Sequence, residues 1–165
     1  MHSRKEVENY LLHKAAIARA ITKKSAERLD SGSAGFAEDR IEPLLLELTE
    51  GLKNKVQSQL VTARQAFERR IHPGTHPSNI SEAAMNEFDA QWSVWAGRVK
   101  LVSGKEVLTM LNRYLQSVGL PALTPLSIID AMQRSDVPRE IVEIIDKIAE
   151  MKTTPLEEQL DYELS

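Results

Sequence analysis

An apolar stripe between Ile41 and Ile71 is the feature that most constrains how this chain can fold. Its members lie three or four residues apart, as one face of an α-helix requires. A helix of this length extends about 45 Å, more than a compact domain of this size needs. The stripe therefore predicts a long helix that requires an apolar partner, and it consists of Ile41, Leu45, Leu48, Leu52, Val56, Leu60, Ala63, Phe67 and Ile71. Gly51 predicts a bend or a close helix contact within it, because glycine is unfavourable inside a helix.

A second long helix is predicted upstream, from Arg4 to about Leu29. Ser3 and Glu6 form a capping-box pattern at its start. Its apolar face is interrupted by Lys14, whose stem either lies along the edge of the helix interface or sets the register of a coiled coil. Because the glycines and serines of segment 30–36 favour a chain reversal, residues 1–72 are expected to form a long antiparallel hairpin.

Segment 72–79 ends this hairpin, since it contains two prolines and a glycine. Asn79 and Glu82 then form a capping-box pattern, and the apolar periodicity beyond them predicts four helices up to about residue 152. The first is expected to carry the centre of the core, with the stripe Met85, Phe88, Trp92, Trp95 and Val99, and the last to bury Val137, Ile141, Ile144, Ile145, Ile148 and Met151. Gly119 is expected to end the second of the four in the left-handed conformation.

These patterns predict an all-α fold, with a long N-terminal antiparallel helical hairpin (residues 1–72) and a smaller four-helix bundle region (80–152). The two parts can also form one continuous domain. Residues 153–165 are predicted to be an acidic tail or short helix, in which Leu156, Leu160 and Leu164 alternate with carboxylates. An amphipathic helix of this kind docks into a groove of its own chain or of another. These leucines, with Lys14 and Gly51, are the predicted partner-binding residues.

The composition excludes several classes of protein. The absence of cysteine excludes disulfides, a thiolate nucleophile and cysteine-based zinc sites. The chain has no run of 18 apolar residues, which argues against a membrane span, and its first residues lack the apolar stretch of a secretory signal. We therefore expect a cytoplasmic protein, although an export route stays open.

The charge is distributed unevenly along the chain. Residues 1–72 contain 13 Lys+Arg and 10 Asp+Glu, a net charge of +3, whereas residues 73–165 contain 8 and 14, a net charge of −6. Ends of opposite sign favour head-to-tail association or docking within the chain. Neither value resembles the strongly basic balance of a dedicated nucleic-acid-binding protein. A weaker nucleic-acid candidate is the basic face of the first helix, formed by Lys5, Arg19 and Lys23.

Candidates for chemistry are few. His72 and His76, with Glu68 one helical turn earlier, form a weak candidate metal site, because the intervening prolines prevent a shared helix face and a fourth ligand is missing. Serine does not occur in a G-x-S-x-G or S-x-x-K pattern. We therefore predict no cofactor and no enzymatic activity.

The chain is predicted to be a non-enzymatic helical protein-protein interaction or assembly/adaptor protein. It is expected to bind protein partners through helical surfaces and to self-associate as a homo-oligomer. The alternative is a nucleic-acid-binding accessory protein that uses the basic face of the first helix.

Overall fold

The computed structural model describes residues 6–28 and 36–153, and this part of the chain is all-α. It contains no strand, which confirms the predicted fold class. Three short 3₁₀ segments occur at Val7–Leu11, Glu38–Arg40 and Arg134–Asp136. The α-helices are α1 (Lys14–Arg28), α2 (Ile41–Glu50), α3 (Lys53–Ile71), α4 (Pro77–Trp92), α5 (Trp95–Leu101), α6 (Gly104–Ser117), α7 (Pro125–Ile129) and α8 (Arg139–Thr153). None of these helices is both long enough and apolar enough to cross a membrane.

The chain divides into two compact units, Met1–Ala131 and Met132–Ser165. Helices α1 to α7 belong to the first unit and α8 to the second. The predicted division into residues 1–72, 80–152 and 153–165 stays a prediction. Residues 154–165 of its last segment lie outside the described residues.

The N-terminal region does not form the single helix predicted from Arg4 to Leu29. A 3₁₀ turn at Val7–Leu11 precedes α1, and the two are separated by Leu12 and His13. Ser3 of the predicted capping box lies outside the described residues, and the carboxylate of Glu6 instead accepts a hydrogen bond from the Ser103 hydroxyl at 3.0 Å. This hydrogen bond joins the N-terminal 3₁₀ turn to a residue 97 positions later in the chain.

The predicted long helix over residues 41–71 is present but interrupted at Gly51 and Leu52. The amide of Leu52 donates to the carbonyl of Thr49 at 2.9 Å, a 3₁₀-type bond, before the α-helical pattern resumes. A Cβ added at Gly51 would meet nothing within 4 Å, so this glycine does not mark a close helix contact. Of the two alternatives predicted for Gly51, a bend or a close helix contact, the structure shows an interruption of the helix and no close contact.

The two halves of this long helix have different partners. The first half, α2, packs against α1 and α6, whereas the second half, α3, packs mainly against α4. The apolar stripe accordingly changes its environment along its length: it is buried at Ile41, Leu45, Leu52 and Val56, half-buried at Leu48 and Leu60, and exposed at Ala63, Phe67 and Ile71. The predicted hairpin-plus-bundle arrangement is not confirmed, because the helix that pairs with the second half of the stripe comes after it in the chain.

The predicted tryptophan helix is two helices, α4 and α5, which are separated by Ser93 and Val94. Phe88 and Trp92 are buried with their rings stacked at 5.0 Å, and Trp95 and Val99 are buried as well, as expected. Met85 is exposed, so its assignment to the core was wrong.

The ends of α4 and α6 test two of the predicted caps. His76 caps α4, whose first residue is Pro77, so the cap predicted at Asn79 was three residues late. After α6, Gly119 has φ = +76°, and the Leu120 amide donates to the Leu115 carbonyl at 2.8 Å. This is the Schellman pattern of a left-handed glycine cap, and the prediction at Gly119 is confirmed.

A buried asparagine connects distant parts of the first unit. The Asn9 side-chain amide donates to the carbonyls of Val99 and Val102, the latter at 3.0 Å, and its oxygen accepts from the Gly104 amide at 3.0 Å. A Cβ at Gly104 would lie 2.6 Å from the backbone nitrogen of Asn9. Glycine at this position therefore allows the N-terminal 3₁₀ turn to pack directly against the start of α6.

Candidate interaction surfaces

Helix α8 exposes a continuous apolar face. Ile144, Ile145, Ile148 and Met151 recur at helical spacing and are 45–67% exposed. The sequence predicted that these side chains form a core face, and that prediction was wrong because nothing in the described chain buries them. We call these four residues the α8 face.

Charged side chains occupy the other sides of α8. Arg139 and Glu143, one turn apart, form an exposed ion pair at 2.8 Å, and Arg134 pairs with Asp146 at 3.1 Å. Glu143, Asp146 and Lys147 are all exposed. A helix that is charged on one side and carries large exposed aliphatic residues on the other has the amphipathic pattern of a helix that docks on a partner.

A second apolar surface lies in the first unit, where α3 extends beyond its contacts with the core. A cleft of about 270 Å³ is lined by Val56, Gln59, Leu60 and Ala63 of α3 and by Lys100 and Leu101 of α5. Phe67 and Ile71 continue the apolar row of α3 and are 46% and 47% exposed. We call this cleft, together with Phe67 and Ile71, the α3–α5 groove.

The groove is bordered by positive charge. The exposed Lys100 lines it directly, and the guanidinium of Arg70 lies 5.8 Å from the centre of the Phe67 ring. Arg64, also exposed, pairs with Glu87 of α4 at 2.7 Å. Lys100 and Leu101 were not among the sequence-predicted sites, because residues about 40 positions apart share no periodicity that could show they are neighbours.

Of the five predicted partner-binding residues, the structure describes only Lys14 and Gly51. Lys14 is exposed at the start of α1 and pairs with Glu42 at 3.6 Å. Gly51 is exposed at the junction of α2 and α3. The other three, Leu156, Leu160 and Leu164, lie outside the described residues.

The predicted nucleic-acid face is only partly described. Lys5 lies outside the described residues, while Arg19 and Lys23 line one open cleft together with Phe36. The Arg19 Nε donates to the carbonyl of Ala131 at 2.8 Å, so this side chain helps to hold the end of the first unit. Lys23 is exposed.

The three residues of the weak candidate metal site are not arranged as metal ligands. His72 and His76 are exposed, and Glu68 is half-buried. The Nδ1 of His76 accepts a hydrogen bond from the Ser78 amide at 3.4 Å, as the cap of α4. Within the described residues, no group of three or more His, Asp or Glu side chains is arranged to hold a metal ion.

Comparison of this chain with known protein families, with curated proteins and with solved structures identifies no match.

Proposed function

We propose that this protein is a non-enzymatic helical interaction or assembly protein that self-associates. The observation that carries the proposal is the α8 face, where four large apolar side chains lie together and exposed. Single apolar residues on a surface are ordinary, but a contiguous patch of them is typical of an interaction site. The absence of cysteine and of nucleophile motifs in the sequence supports a non-enzymatic role.

The energetics show what kind of partner the α8 face needs. Complete burial of a large aliphatic side chain contributes about 1.5–3 kcal/mol to the stability of a complex. Covering four half-exposed side chains therefore contributes about 3–6 kcal/mol. Association itself costs about 4–15 kcal/mol in lost translational and rotational freedom. The partner must therefore contribute an apolar surface of comparable size.

Light scattering across a wide concentration range tests self-association. We expect the average mass of the wild-type protein to rise with concentration, and the Ile145→Glu/Ile148→Glu variant to stay monomeric. Glutamate is a good helix former and both sites are exposed, so circular dichroism of the variant should be unchanged. Val94→Glu is the matched control, since Val94 is a similarly exposed aliphatic residue in the first unit. A wild-type protein that is monomeric at every concentration would contradict the proposal.

The alternative function is a nucleic-acid-binding accessory protein that uses Lys5, Arg19 and Lys23. The described contacts favour it less, because Arg19 already donates to the Ala131 carbonyl. It predicts salt-sensitive binding that the triple glutamate variant loses. Binding that the triple variant retains would remove this face from consideration.

The cytoplasmic location and the hairpin-plus-bundle arrangement also stay predictions.

A further inference from the structure

We propose that the α8 face of one copy binds in the α3–α5 groove of a second copy of this chain, so that the copies associate head to tail. The inference rests on the proposed self-association and specifies which two surfaces meet.

The α8 face fits within the length of the groove. At about 1.5 Å per residue, the apolar row from Leu60 to Ile71 extends about 16 Å, and the α8 face from Ile144 to Met151 extends about 10 Å. A helix that docks in a groove uses anchors at i, i+3 or i+4, and i+7. Ile144, Ile148 and Met151 have this spacing, and the cleft beside Leu60 provides a concave site that a flat helix surface lacks.

The two surfaces also differ in charge. Helix α3 contains five Lys+Arg and one Glu, a net charge of +4. Lys53, Lys55 and Arg64 form ion pairs with carboxylates of the first unit. Arg69 and Arg70 of α3 and the exposed Lys100 of α5 supply the remaining positive charge near the groove. Helix α8 itself contains three Lys+Arg and four Asp+Glu, a net charge of −1, and the whole segment 132–165 has a net charge of −5, because residues 154–165 add four carboxylates and no Lys or Arg. Opposite charges select between arrangements of similar apolar area. They favour binding of segment 132–165 at the basic groove over its pairing with a second copy of itself, where two segments with a net charge of −5 would meet.

This pairing has a consequence for assembly. Each copy carries one α8 face and one groove, so a copy bound through one of them still presents the other. Such a heterologous interface produces either a closed ring or a continuing chain, whereas pairing of identical faces ends at a dimer.

A mixing experiment tests the pairing directly. The α8 variant is Ile145→Glu/Ile148→Glu, and the groove variant is Ala63→Glu/Phe67→Glu, both at exposed positions. Each variant alone should be monomeric, because every possible contact then includes one damaged surface. An equimolar mixture should form a heterodimer of twice the mass of one chain, since the intact groove of the first variant can bind the intact α8 of the second. Sedimentation velocity measures the masses, and circular dichroism verifies that both variants are folded.

The outcomes separate the pairing from the proposed function. If the groove variant self-associates as the wild type does, α8 binds elsewhere and the pairing is overturned while self-association stands. A mixture of folded variants that stays monomeric also overturns it. A monomeric wild type removes both proposals.

A second pair of variants covers the case in which the groove variant does not fold. Lys100→Glu changes an exposed side chain, and we expect severalfold weaker self-association from it. Glu143→Lys should weaken self-association similarly, and mixing the two charge-reversed variants should recover part of the loss. If the folded Lys100→Glu variant self-associates as strongly as the wild type at low salt, the groove is not the binding site of α8.

Discussion

Arg98 is a buried charge of the first unit, and a charged side chain that is 5% exposed must satisfy its donors within the protein. Its Nε donates to the Trp92 carbonyl at 2.8 Å, and its Nη1 lies 2.9 Å from the Leu46 carbonyl and 3.0 Å from Glu50 Oε2. The Cζ atom lies 4.3 Å from the centre of the Trp92 ring, in cation–π contact. One side chain thus joins α2 to the end of α4 and the start of α5.

The first prediction separates the burial of Arg98 from its ion pair. Arg98→Ala should destabilise the protein by about 3–5 kcal/mol, because it removes a buried charged donor and leaves its partners unpaired. Glu50→Ala should cost no more than about 1 kcal/mol, since this carboxylate is largely exposed. Urea unfolding monitored by circular dichroism measures both. Equal losses from the two variants would show that the ion pair, rather than the carbonyl contacts, is the main contribution.

The second prediction concerns two glycines for which the same substitution has opposite effects. Gly51→Ala should stabilise the protein by about 0.5–1 kcal/mol, because φ is −63° and the added Cβ meets no other atom. Gly104→Ala should destabilise it by about 1–3 kcal/mol, since its Cβ would lie 2.6 Å from Asn9. Thermal and urea unfolding of both variants check the signs. Destabilisation by Gly51→Ala would contradict the open surroundings of that site.

Single residues were predictable from the sequence where local geometry decides their role. Gly119 follows an apolar periodic segment, and the left-handed cap that it forms needs no information from elsewhere in the chain. Asn9 and Arg98 were not singled out, because a polar residue in an amphipathic pattern reads as solvent-facing. Their partners are carbonyls and amides that only the tertiary structure brings near them.

At the scale of helices, periodicity predicted the existence of the elements better than their partners. The stripe over residues 41–71 is helical apart from Gly51 and Leu52, but the spacing cannot show which neighbour covers each part. The face of α8 illustrates the same limit: its isoleucines have the spacing of core residues, yet they are exposed. An apolar helical face predicts that something covers it, and the partner can belong to another molecule.

The third prediction follows from the marginal stability of an exposed short helix. Isolated helices shorter than about 12–15 residues are marginal in water, and α8 lies at this limit, with 15 residues and an exposed apolar face. Amide hydrogen exchange over residues 139–153 should therefore be fast in dilute protein and should slow as the concentration rises. In the groove variant, exchange over this segment should stay fast at all concentrations. Slow exchange in dilute wild-type protein would show that α8 is already stabilised within one chain.

At the scale of the whole molecule, the sequence predicted the all-α class because apolar residues recur at helical spacing along most of the chain. It did not predict the division at residue 131, since the helices on both sides of it have similar local patterns. The charge asymmetry, by contrast, was visible in the sequence. The two exposed apolar surfaces give it a structural interpretation, because they lie in parts of opposite net charge.

The fourth prediction uses the α8 variant as a chain terminator. Its groove is intact, so it can accept α8 of a wild-type copy, but it cannot occupy the groove of another copy. Added to wild-type protein in increasing proportion, it should lower the weight-average mass of the assemblies progressively, as light scattering would show. The double-defective protein, which combines the α8 and groove substitutions, is the control and should leave the wild-type assemblies unchanged, since it can join at neither end. If the wild type instead dimerises through two α8 faces, the α8 variant has nothing to bind, and the mass of the wild-type dimers should be insensitive to its addition.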